Sequence, residues 1–227
     1  MLTDLDLSIL RERYNARGHN NDWAEKNLGF GFIHYAMIRN LQPEDVLCVG
    51  SQRGFIPAIC AMACRDNGFG KVTFVDAGLD MNVPDDNKIE GQKSWGGLGI
   101  WKTATPEYWH ESIRPFIDLK VMTTEQYRKE VGYKMFGYIY LDGDHSYLGV
   151  KRDVQLFWHN LPFGAYMTMH DIAVDKQTDW GECGVRKFWL ELLQDPSQSV
   201  GDSYDKVGIS GIELDCGLGV LQRICHT

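Results

Sequence analysis

Apolar positions along this chain fall into two kinds of segment that alternate. VLCVG, residues 46–50, is a short and wholly apolar run set between Pro43-Glu44-Asp45 and the turn SQRG. Such a run is the mark of a strand buried on both faces, as in a parallel sheet. KVTFVDAG repeats it and closes on Asp76, and three further strands are predicted at 115–124, 133–145 and 165–171. Between them lie helical segments: FIPAICAMACRDNG, ended by Gly68, then SYLGVKRDVQLFWHNL and VRKFWLELLQ. Residues 1–40 read mostly as helices, with Leu28, Phe32, Tyr35 and Ala36 spaced along one face. The tail KVGISGIELDCGLGVLQR carries hairpin signals. Strands alternating with helices predict an α/β fold, a mainly parallel, doubly wound sheet with an antiparallel strand pair at its C-terminal end. No linker or repeat divides residues 1–227, so one domain is expected.

Residues 77–112 break the alternation. They contain GQKSWGGLGIW, with four glycines and two tryptophans, Trp95 and Trp101. Such a run predicts a surface loop or a lid over a substrate.

Composition narrows the function. The formal net charge is -8, and a nucleic-acid binder needs a basic face to displace counterions. The longest apolar stretch, FIPAICAMAC, is half of the roughly 20 residues that a membrane span requires. The N-terminus has no apolar signal core, and the six cysteines show no metal or disulfide spacing. The expectation is a cytoplasmic protein with free thiols and neither nucleic acid nor membrane as partner.

Two features point to a nucleoside-type cofactor. The strand-turn-helix unit VLCVGSQRGFIPAI places Gly50, Ser51 and Gly54 at its turn, where backbone N–H groups can face a ligand. Asp76 ends the next strand 22 residues after Gly54, suited to accept hydrogen bonds from ribose hydroxyls. The turn lacks the G-x-G-x-x-G of a dinucleotide site and the Gly-Lys-Ser/Thr of a P-loop. A nucleoside without a diphosphate fits it better. At the next two strand tips stand Asp142, Asp144 and His145, then His170 and Asp171. Ligands of open α/β sheets bind outside such tips, although an acid like Asp144 can also cap the helix that follows.

The block LDGDHSYLGVKRDVQLFWHNLPFGAYMTMHDI, Leu141–Ile172, resembles the class I methyltransferases that include macrocin-type sugar and antibiotic O-methyltransferases and sequences called cephalosporin hydroxylases. VLCVGSQRGF and VTFVDAG are similar to that family's cofactor motifs. Cys48 replaces a frequent acid, and Gln52 the middle glycine. The resemblance implies a Rossmann-like fold and S-adenosylmethionine as cofactor, held by Gly50, Ser51, Gly54, Asp76 and Asp142. It also implies a small-molecule or sugar hydroxyl as acceptor, and a homo-oligomer. A divalent metal, Mg2+ or another, would be held by Asp142, His170 and Asp171, the imidazole moving preference toward manganese or zinc. His145 is the candidate general base and Asp144 the other catalytic candidate. Three alternatives stay open: a methyltransferase that uses no metal, a non-catalytic binder of the same cofactor, and a hydroxylase. The last is disfavoured because no set of two histidines and a carboxylate stands out by spacing.

Overall fold

The computed structural model describes residues 1–16, 18–83, 88–89, 91–174, 177–178, 181–195, 200, 205–212 and 216–225. Seven strands form one sheet. β1 (Asp45–Val49), β2 (Lys71–Asp76), β3 (Ile117–Val121), β4 (Tyr138–Leu141) and β5 (Tyr166–His170) are its parallel part. β6 (Gln177–Thr178) and β7 (Gly181–Glu182) make a separate small hairpin. β8 (Asp205–Ile212) and β9 (Leu218–Cys225) complete the main sheet, β9 running antiparallel to both β5 and β8. The strand order is β3-β2-β1-β4-β5-β9-β8. β1 and β4 are therefore neighbours across the point where the chain reverses its direction of winding, which opens a crevice beyond their carboxyl ends.

Among the described residues six α-helices of a turn or more lie on the sheet: α1 (Asp4–Arg13), α2 (Phe30–Leu41), α3 (Phe55–Asn67), α4 (Thr124–Val131), α5 (Tyr147–Phe157) and α6 (Val185–Gln194). The apolar strand runs divide by alternation between the two layers. Val46, Cys48, Val72, Phe74, Tyr138 and Tyr140 pack against α1, α2 and α3. Leu47, Val49, Ile139, Leu141, Met167 and Met169 pack with residues of α5 and α6. Both sets are essentially inaccessible to solvent, so the central strands are apolar on both faces, apart from the buried Thr73 and Thr168, and show no polar face in the sequence. Among the described residues no helix is long and apolar enough to cross a membrane.

The predicted strands and the C-terminal antiparallel pair form as expected, with residues 213–215 of the tail outside the described residues. Two elements differ. The helical segment near residue 30 starts at Phe30 and buries Gly31, His34, Tyr35 and Ile38, whereas Phe32 and Ala36 face outward. That face carries a buried histidine and a glycine, so the apolar count alone sets the helix at the wrong rotation. His34 Nδ1 meets the Tyr138 hydroxyl at 2.6 Å, which lets a polar ring lie in the core. The second is α4, which follows β3 directly. Thr123 caps it, accepting from the Gln126 N–H, while the Gln126 side chain accepts from the Thr123 N–H.

Candidate active site

Two adjoining cavities lie beyond the carboxyl ends of β1, β2, β4 and β5. The first is a cleft lined by Gly50, Ser51, Asp76, Met122, Thr124 and Asp142, among others. Gly50 has φ +69°, and a side-chain carbon there would sit 2.3 Å from the Asp142 carbonyl oxygen. Only glycine lets the β1 turn lie so close to the β4 tip. Asp76 accepts from the backbone N–H of Gly78 at 2.8 Å and, more loosely, of Ser51 at 3.4 Å. Burial pushes its pKa up to about 6, against the pull of these two donors, and the nearby Asp142 charge adds to the rise.

The second cavity is larger, about 940 Å³, and its floor is the cluster Asp142, His145, His170 and Asp171. Adjacent strand residues point to opposite faces, yet His170 and Asp171 share this floor. Asp171 achieves this with φ +66°, a left-handed conformation that swings its carboxylate back beside the imidazole. His145 lies between two acids, Nε2 at 3.1 Å from Asp142 and Nδ1 at 2.8 Å from Asp171. His170 Nε2 donates to the Gly18 carbonyl at 2.7 Å, so its Nδ1 faces Asp142 Oδ1 at 3.1 Å and Asp171 Oδ1 at 3.0 Å. His170 Nδ1 and Asp171 Oδ1 are nonetheless buried without a hydrogen bond, because their angles are wrong for one. The Asp142 carboxylate is held further by the Tyr140 hydroxyl at 2.7 Å.

Electrostatics sharpen the cluster. Burial works to lower the pKa of both histidines, but Asp142 and Asp171 outweigh it and raise both well above the ordinary value. Burial likewise raises the two acids, and the imidazoles overcome it and hold them well below the usual carboxylate range. Protons or a cation answer the same concentration of negative charge. Cys183 stands with His145 and Asp171, and Cys216 with His170 and Asp171, ligand atoms within 4.8 Å in each group.

A methyltransferase-domain family model matches residues 47–172, which is more than half of the chain. The chain belongs to that family. No curated protein matches the methyltransferase by sequence. Among solved structures it is similar to the O-methyltransferase TomG of Streptomyces achromogenes, a complex with SAM involved in tomaymycin synthesis. That match has 11% identity over 99% of this chain and 91% of the other, with a TM-score of 0.60. An O-methyltransferase from Bacillus cereus in complex with SAH gives 11% identity, 98% and 92% coverage and 0.60. The SAH-bound methyltransferase PaMTH1 of Podospora anserina gives 12%, 98%, 88% and 0.56. At such identities the likeness shows a shared Rossmann-like fold.

Of the residues singled out from the methyltransferase sequence, Gly50, Ser51, Asp76, Asp142 and Asp144 line the first cleft. Asp142, His145, His170 and Asp171 line the second cavity. Gly54 lies outside both linings: its N–H donates to the Ser51 hydroxyl at 3.1 Å, and a side-chain carbon would strike Trp109 at 2.7 Å. Ser146 rather than Asp144 caps α5, accepting from the Gly149 N–H. Asp144 accepts instead from Trp95 Nε1 at 2.8 Å and from the Ser146 N–H at 3.0 Å.

The predicted loop divides its two tryptophans. Trp95 stacks on His145, ring centres 5.5 Å apart, and touches both cavities. Trp101 is buried, stacks on Trp109 and donates to the Ser51 carbonyl at 2.9 Å. Residues 84–87 and 90 of the same stretch lie outside the described residues.

The expectation that no two-histidine, one-carboxylate set exists holds for sequence spacing only. His145 and His170 come together with Asp142 and Asp171 because two separate strand tips meet. His19, Cys183 and Cys216 also reach the cluster, and nothing in their spacing marks them.

Proposed function

We propose that this methyltransferase moves the methyl group of S-adenosylmethionine onto a hydroxyl of a sugar or small natural product, assisted by a divalent metal. The observation that carries the reading is that the two cavities meet at one place: Asp142, Gln52, Trp95 and Leu98 line both. A donor in the cleft and an acceptor in the cavity would face each other there, and holding two reactants in line supplies much of the lowering of the barrier. The names of the structural relatives, which bind SAM or SAH and are called O-methyltransferases, support the cofactor and the oxygen acceptor. The Leu141–Ile172 resemblance supports the sugar or natural-product class.

The cofactor supplies an activated methyl on a sulfonium. Asp76 would accept from the ribose hydroxyls, and the Gly50-Ser51 turn would let the rest of the molecule approach the backbone. Transfer to an acceptor hydroxyl would leave that oxygen's proton to be taken up by Asp144, or by His145 where a cation in the cluster displaces the proton that Asp142 and Asp171 favour on it. His170 Nδ1 and Asp171 Oδ1, both buried and unbonded, would be two ligands of a cation with Asp142 the third, and Cys216 lies within 4.8 Å of the first two. A cation there would lower the pKa of the acceptor hydroxyl, and the mixed nitrogen and oxygen donors favour manganese or zinc over magnesium. A second reading dispenses with metal, because Asp142, His145 and Asp171 already form a continuous chain of contacts.

Calorimetric titration with S-adenosylmethionine and S-adenosylhomocysteine tests the cofactor, beside an Asp76→Ala variant. Micromolar binding that the variant loses is expected. A folded protein that binds neither overturns the proposal. Metal analysis of protein purified with and without chelator then separates the two readings: retained, stoichiometric metal supports the first, and its absence the second.

A further inference from the structure

The acceptor cavity has a rim as distinctive as its floor. Arg11 and Arg13 reach it from the last turn of α1, and Arg53 from the glycine turn between β1 and α3. Among the described residues Glu12 is the one carboxylate on that rim, and it is held by the Ser8 hydroxyl at 2.7 Å with Arg11 at a loose 3.5 Å. Arg13 and Arg53 make no ion pair among the described residues, in a chain whose formal net charge is -8. The backbone beneath them is fixed. The Tyr108 hydroxyl donates to the Arg53 carbonyl at 3.0 Å, and Tyr108 packs on Tyr14, the residue that ends α1. Two separate elements thus bring three cations to one opening, where Glu12 is the acid paired with Arg11, and Arg13 and Arg53 pair with none among the described residues.

We infer that the methyl acceptor carries a phosphate or diphosphate group at the end remote from its reacting hydroxyl, and that Arg11, Arg13 and Arg53 receive it. The inference rests on the reading of this cavity as the acceptor site. Guanidinium forks match phosphate oxygens two at a time, and three of them beside one acid leave the positive charge that a dianion requires. A cavity of about 940 Å³ has room for a sugar joined to such a group, beyond what a bare monosaccharide fills. On the floor Asp142 and Asp171 are matched by His145 and His170, whereas the rim arginines outnumber their one acid, so the cavity's unbalanced positive charge lies at the rim and sets the direction in which the acceptor lies. The class of reaction that supplies this substrate is then a phosphoryl or nucleotidyl transfer to a sugar.

The test uses the full chain saturated with S-adenosylhomocysteine, so that cofactor binding is established first and separately. Glucose 1-phosphate, UDP-glucose and neutral methyl glucoside are titrated while tryptophan fluorescence is followed, since Trp95 lines the cavity. At least one phosphorylated probe is expected to bind tenfold or more tightly than the glucoside, with affinity that falls as salt rises. An Arg13→Gln, Arg53→Gln double variant is expected to lose tenfold or more of that affinity while keeping its melting temperature and its affinity for S-adenosylhomocysteine. Equal binding of neutral and phosphorylated probes, binding of none by the saturated protein, or full retention by the double variant each overturns the inference. Loss of S-adenosylhomocysteine binding in the wild type would instead overturn the methyltransferase cofactor reading, which the Asp76→Ala comparison tests.

Discussion

Burial of the Asp76 carboxylate raises its pKa to about 6, so protonation reaches it within the range where the protein can be studied. On the proposed reading Asp76 accepts from two ribose hydroxyls, which only its ionised form does well. Cofactor affinity should therefore be flat above pH 7 and fall below 6, to roughly a tenth at pH 5. Titration of S-adenosylhomocysteine at pH 5 and 8 measures it, and an Asp76→Asn variant should bind weakly with no such slope. A slope that survives in the variant would assign the effect to another group. Asp153 gives a second residue-level prediction. It lines the same cleft, accepts from the Thr124 hydroxyl at 2.7 Å, and burial pushes its pKa up to about 7. The folded value lies above the unfolded value of ~4. The stabilising effect is thus present below pH 4 and lost as pH rises through 7. Asp153→Asn keeps the shape and an acceptor without the charge. It should raise the melting temperature at pH 8, by no more than about 4 kcal/mol in stability, and change little at pH 4. A lower melting temperature at pH 8 would show that the charge is compensated.

At the scale of elements, the loop that carries Trp95 is the part joining the two cavities. Its indole donates to Asp144 at 2.8 Å and stacks on His145, and Leu98 beside it also lines both spaces. Trp95, Gly97 and Leu98 wall this cleft, so the loop is placed to close over a bound nucleoside. Hydrogen exchange at residues 91–99 should slow when S-adenosylhomocysteine is bound, and Trp95→Phe, which keeps the stack and loses the donor, should weaken that protection. Unchanged exchange on binding would make the loop a fixed wall. The loop's existence was legible in its glycines, but the separate fates of Trp95 and Trp101 were not. One indole meets an acid on a strand tip far away in sequence, and the other stacks on nearby Trp109, a pairing that no periodicity marks. The central strands were legible because a strand covered on both sides must be apolar throughout. α4 was passed over although Thr123 and Gln126 form a capping box that spacing alone reveals. The site was half legible. Asp142, His145, His170 and Asp171 stand at strand ends where ligands bind, whereas His19, Cys183 and Cys216 arrive through tertiary packing.

For the whole molecule, the decisive arrangement on the proposed reading is a sheet that builds the cofactor side and an N-terminal segment that completes the acceptor side. Gly18 bonds to His170, His19 packs on the same ring at 4.5 Å between centres, and the rim arginines Arg11 and Arg13 belong to α1. One buried ion pair fastens α1 to the sheet layer. Arg65 on α3 donates to Asp6 at 2.7 Å and reaches Asp66 at 2.8 Å, with Asp6 almost fully enclosed. Leaving a buried charge wholly unpaired costs about 3 kcal/mol, which is a ceiling for the loss of Asp6. Arg65 would keep Asp66, so the damage should fall on α1 rather than on α3. Asp6→Ala is accordingly expected to speed hydrogen exchange in residues 4–20 while leaving the central strands protected. Cofactor binding should persist, because none of the cleft residues lies in that segment. If exchange rises equally in the strands, or affinity for S-adenosylhomocysteine falls with stability, the N-terminal segment is part of one cooperative unit with the sheet. If the two effects separate, acceptor recognition in this methyltransferase is built on an element that can loosen without dismantling the cofactor site.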